Sequence, residues 1–87
     1  MVKGKKTKYG ICVYDDELNH ADLVVSILSS AFGYHVTQAY QCVRMIEQNG
    51  MYVVKTYDKK DRDKAIKYAN YLTKNGLIAE IISVIVA

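Results

Sequence analysis

The residues in this chain best suited to chemistry are acids. Asp15, Asp16 and Glu17 stand in a row within "VYDDELNHADLVV", and Glu47 stands near the end of a later helical segment. Neighbouring carboxylates repel one another, and bringing them together is costly unless a cation relieves them. A protonated amine is one such cation. A metal ion is the other, but no spaced set of His or Cys accompanies the acids, and His20 is the only imidazole beside them. Loop carboxylates also have an ordinary use: they solvate the loop and favour the N-terminus of a following helix through its dipole. Three acids exceed that need, because Asn19 reads as the N-cap, with Asp22 at the third helical position in a shortened capping box.

The elements around the acids follow from periodicity. Tyr9 to Tyr14 reads as a strand, rich in Tyr, Ile, Val and Cys. Ala21, Val24, Val25, Leu28 and Phe32 then recur at helical spacing, widened by Ile27 and Ala31, and Gly33 ends that helix. A second helix is expected from about Val36 to Gln48, with Val36, Ala39, Tyr40, Val43 and Ile46 as its apolar face. Asn49-Gly50 stops it. Met51 to Tyr57 is the second strand. Asp58 and Asp61 open a third helix, buried along Ala65, Ile66, Ala69 and Leu72 and closed by Asn75-Gly76. Leu77 to Ala87 is the last strand, nearly continuously apolar.

The order is strand, helix, helix, strand, helix, strand. It predicts an α+β two-layer sandwich, three helices packed on one face of a small sheet. Such a unit can bring the end of the first strand and the end of the second helix together, and with them Asp15, Asp16 and Glu47.

With 87 residues the chain is one small domain with a modest core. The division expected is a basic flexible tail over 1–8 and a single domain over 9–87. The net charge of +3 owes much to Lys3, Lys5, Lys6 and Lys8. Those lysines lack interleaved aromatics and are a weak signal for nucleic acid. Tyr68 and Tyr71 beside Lys64, Lys67 and Lys74 keep a nucleic-acid-binding alternative open. The apolar last strand leaves a homodimer open as well. No segment is apolar enough to cross a membrane or serve as a secretory signal, and Cys12 and Cys42 read as reduced, buried thiols. A cytoplasmic protein is expected. Gly-rich phosphate loops, metal-ligand spacings and catalytic triads are missing, so no enzyme, no cofactor and no metal are expected.

"VYDDELNHADLVVSIL" resembles the opening of ClpS, the adaptor of the Clp protease. That family carries an Asn-Asp-Asp motif after its first strand and then an apolar helix. Leu18, Asn19, His20, Ala21 and Asp22 fit the continuation seen in one of its branches. "TQAYQCVRMIEQNG", "VVKT" and "NGLIAEI" are similar to later family segments, so the resemblance runs from Tyr9 to about Ile81. It rests on the ordered set of segments and on no single motif.

The resemblance implies the ClpS-like fold, with its sheet antiparallel and three-stranded. It also implies a binding module for the N-terminal residue of other proteins, the N-degron, working with a Clp-type AAA+ unfoldase. The family's α-amine site falls on Asp15, Asp16 and Glu47. The pocket for the first side chain falls on Asn19, Ala21, Val24, Val43 and Ile46, with Leu77 or Ile78. Two positions depart from the family: Asp15 replaces an Asn and Glu47 replaces a His. Three acids around one ammonium leave negative charge over, which suits amine binding with an altered preference, such as an N-terminal Arg or Lys. Ala21 stands where relatives often carry a larger gating side chain. The short lysine-rich stretch before the first strand also leaves open a decoy or inhibitor that does not deliver what it binds, or a ClpS-fold module that no longer binds N-degrons.

Overall fold

The computed structural model describes residues 6–86. The elements run β1 (Lys6–Tyr14), α1 (Ala21–Phe32), α2 (Val36–Asn49), β2 (Met51–Tyr57), a single 3₁₀ turn (Lys59–Asp61), α3 (Arg62–Lys74) and β3 (Ala79–Val86). The sheet order is β2-β1-β3, and β1 is antiparallel to both neighbours. Three helices on a small sheet is the architecture expected from the order of elements, and the three antiparallel strands are those the family resemblance implies.

Alternation along β1 explains the layering. Ile11 and Val13 point at the helices and are buried with Val25, Leu28, Val43, Ile46, Val54 and Leu72. Gly10 and Cys12 occupy the other face. A Cβ on Gly10 would lie 2.9 Å from Val53 Cγ1 and 3.1 Å from Val84 Cγ1, so side chains of both edge strands lean over it. The glycine lets the two edges close over the central strand. Between Ile11 and Cys12 the β1–β2 register shifts by a bulge, which adds local twist to that pair.

Two glycines in the left-handed region stop the helices. Gly33 (φ 68°) ends α1 and Gly50 (φ 79°) ends α2, each donating its N–H to the carbonyl four residues back. An aromatic cluster closes the far end of the core: Phe32 packs on Tyr34 and Tyr68, and Tyr57 stacks on Tyr68. The Tyr34 hydroxyl donates to the Val54 carbonyl at 2.6 Å. These tyrosines serve packing, as their half-buried positions expect.

Four expectations change. Of the tail expected over 1–8, Lys6, Thr7 and Lys8 are the start of β1, paired with Val86, Ile85 and Val84; residues 1–5 lie outside the described residues. β3 begins at Ala79, two residues after the apolar run does, because Gly76, Leu77 and Ile78 form the turn out of α3. The buried face of α2 is Ala39, Cys42, Val43 and Ile46, while Val36 and Tyr40 are exposed at 50% and 44%. The helix is thus turned so that Tyr40 looks outward along α1. Finally, His20 and not Asn19 is the N-cap of α1, and its side chain makes no capping bond. The His20 carbonyl still accepts from the Leu23 and Val24 N–H groups, and Asn19 is engaged elsewhere.

Candidate functional site

The loop after β1 is tied down at three points. The Tyr14 N–H donates to the Ile78 carbonyl and the Asp15 N–H to the Gly50 carbonyl, each at 2.9 Å. The Asn19 side-chain amide donates to the Gly76 carbonyl at 3.1 Å. The acidic loop is therefore pinned against both the α2–β2 turn and the α3–β3 turn. Glu47 lies three residues before Gly50, so the bond from Asp15 brings the two acids to the same end of the molecule.

Asp16 organises the loop from within. Its Oδ1 accepts from the Leu18 N–H at 2.8 Å and its Oδ2 from the Asn19 amide at 2.6 Å. The first is the Asx-type turn by which an aspartate reverses a chain. The second holds Asn19 toward Gly76. Asp15 Oδ1 in turn accepts the Asp16 N–H at 3.0 Å. So one acid of the row has a structural use that composition alone did not show.

Above this loop lies a small pocket between α1 and α2. It is lined by Val13, Tyr14, Asp15, Asp16, Asn19, Ala21, Val24, Val43, Ile46, Glu47 and Leu77, and encloses about 60 Å³. All nine residues proposed from the sequence line it. Val13 and Tyr14 are additions, signalled only by their place at the end of the strand that leads into the acids. Ile78 is 53% exposed and outside the lining. The interior is apolar: Val13, Val43, Ile46 and Leu77 are buried, and Ala21 and Val24 partly so. Asp15 and Glu47 are exposed on the rim, and Asp16 is half-buried.

The charge balance of the rim is one-sided. Among the described residues the ion pair found is Lys8–Asp58 at 3.4 Å, far along the chain from the rim acids. Among the described residues, Asp15, Asp16 and Glu47 thus border the pocket without an ion-pair partner. No three His, Cys, Asp or Glu among the described residues are grouped so as to hold a metal ion. Thiol chemistry is poorly supported too: burial pushes both the Cys12 and Cys42 thiols up, away from the reactive thiolate.

A second contact joins the helices at the mouth. The Tyr40 hydroxyl on α2 donates to the Asp22 carboxylate in the first turn of α1. That bond raises the Tyr40 phenol pKa, chiefly because the neighbouring carboxylate holds its proton. The outward Tyr40 that the helical periodicity misassigned to the core is one wall of the approach to the pocket.

Residues 4–78 match the family described as ATP-dependent Clp protease adaptor protein ClpS. The chain belongs to the ClpS family. Among solved structures, ClpS2 of Agrobacterium tumefaciens bound to L-phenylalaninamide superposes with a TM-score of 0.72 at 16% identity. The match covers 91% of this chain and 98% of that one. It establishes that the folds are alike. No curated protein sequence matches the chain. ClpS proteins are adaptors of the Clp protease, and every residue that lines the acidic pocket lies within the matched stretch. No helix among the described residues is long and apolar enough to cross a membrane.

Proposed function

We propose that this ClpS-family chain binds the N-terminal residue of a partner protein, with the α-amine held by Asp15, Asp16 and Glu47 and the first side chain in the pocket between α1 and α2. The observation that carries the reading is a rim of carboxylates that, among the described residues, form no ion pair, around an apolar recess. An ammonium has three protons to donate and gains most from ionised acceptors. Asp16 spends part of its acceptor capacity on Leu18 and Asn19, so Asp15 and Glu47 have the freer oxygens. The recess encloses about 60 Å³, well below the several hundred usual for drug-sized ligands, so the group it takes is no larger than a single side chain. L-phenylalaninamide, carried by the Agrobacterium protein, has the free α-amine and blocked carboxyl of a chain's first residue.

Asp15 and Glu47 set the preference. An ionised aspartate only accepts hydrogen bonds, where an asparagine amide also donates. The surplus negative charge favours ligands with further positive charge, an N-terminal Arg or Lys. Partners on this reading are the N-terminal segments of substrate proteins and a Clp-type AAA+ unfoldase. The test is fluorescence anisotropy with peptides beginning with Phe, Leu, Tyr, Arg or Ala, on this chain and on the Asp15→Asn/Glu47→His double variant. The basic peptides should rank higher on the unaltered chain than on the variant. Identical rankings would end the altered-preference reading.

A further inference from the structure

A second concave surface adjoins the pocket. It is a groove of about 370 Å³ along α2, lined by Ala21, Thr37, Tyr40, Gln41, Val43, Arg44 and Glu47. Ala21, Val43 and Glu47 border both spaces, so the groove continues the pocket outward. Beyond the residues it shares with the pocket, the groove presents the Thr37 hydroxyl, the Gln41 amide and the Arg44 guanidinium. Arg44 is exposed and forms no ion pair among the described residues, not even with Glu47 one turn away on the same helix.

Resting on the reading of the pocket given above, we propose that this groove is a subsite for the second residue of the bound chain, and that Arg44 selects an acidic side chain there. The distances that chemistry fixes are consistent. Successive Cα atoms are about 3.8 Å apart, and helical neighbours three residues apart have Cβ atoms about 5–6 Å apart. An amine resting on Glu47 therefore places the next side chain within reach of Arg44. The Tyr40–Asp22 bond ties α2 to α1 beside the groove. A carboxylate at the second position meets two opposed effects. The rim acids repel it at longer range, and the guanidinium binds it directly with paired hydrogen bonds. Direct contact outweighs the screened repulsion.

Peptides with a fixed N-terminal Leu and Glu, Gln or Lys at the second position separate these effects, because Glu and Gln share a shape. Titration by anisotropy should show the Glu peptide binding roughly threefold or more tighter than the Gln peptide. On the Arg44→Gln chain only the repulsion is left, so the order should reverse, with Glu weakest and Lys strongest. Equal binding of Glu and Gln peptides on the unaltered chain, or a preference that survives Arg44→Gln, overturns the subsite. Both results count only as measured against acetylated controls. If acetylated and free peptides bind alike, or no peptide binds, the amine reading itself falls and the subsite falls with it.

Discussion

Asp16 holds its own loop while facing the site. Both its carboxylate oxygens accept bonds from the segment that follows, one from a backbone N–H and one from the Asn19 amide that reaches Gly76. Asp16→Ala should therefore cost about 1–2 kcal/mol in urea unfolding, the worth of hydrogen bonds to a charged group at a half-buried position. Asn19→Ala should cost less, and the two losses should be less than additive because they share a bond. Among the described residues Glu47 makes no such structural bond, so Glu47→Gln should leave the urea midpoint unchanged while weakening free-amine peptides about tenfold. A stability loss in that variant equal to that of Asp16→Ala would assign Glu47 to the scaffold. Asn19 shows where residue-level reading stops: its type and place suggest a cap, but the partner that claims it, Gly76, is distant in sequence.

At the scale of elements, β1 does most to place the site, and its sequence shows why it is central. Gly10 permits both edge strands to close over it, and Gly10→Ala should destabilise the fold by roughly 1–3 kcal/mol as Val53 and Val84 are pushed aside. At its end, the Tyr14 hydroxyl donates to Glu80 Oε1 on β3 at 2.5 Å. That bond, with a smaller effect of burial, pushes the Tyr14 phenol up to about 12. A raised phenol pKa means the folded chain holds the proton more tightly than the unfolded one. The contribution of this bond to stability is thus complete below the ordinary value of 10 and is lost as the pH rises toward about 12. In a titration followed by phenolate absorbance, Glu80→Gln should move one tyrosine from the late-titrating group to the ordinary one. No change would mean the bond does not persist in solution. The strands and helices themselves were readable because their apolar periods are clean: β2 is found where expected, and the three helix stops at Gly33, Gly50 and Asn75-Gly76 are where glycine and asparagine put them. Tyr40 was not, because a tyrosine at helical spacing looks the same whether it packs inward or reaches across to Asp22.

For the whole molecule, the pocket is a product of tertiary assembly. Its lining comes from β1, the loop after it, α1, α2 and the turn before β3, so no local stretch could reveal it. The sequence could supply which residues belong together only through the ordered set of segments shared with the ClpS family. Charges and apolar residues taken singly would fit a solvated loop equally well. The same assembly makes the site dependent on the core beneath it. Leu72 is fully buried between α3 and the sheet, and Leu72→Ala should cost about 2–5 kcal/mol.

The central claim is that the carboxylate rim is there for an amine. Short labelled peptides offered in pairs, one with a free N-terminus and one acetylated, test it directly by anisotropy. The account predicts that acetylation abolishes binding, since it removes the charge and two of the three donors that Asp15, Asp16 and Glu47 would hold. Equal binding of the two forms, or binding of neither, would contradict it.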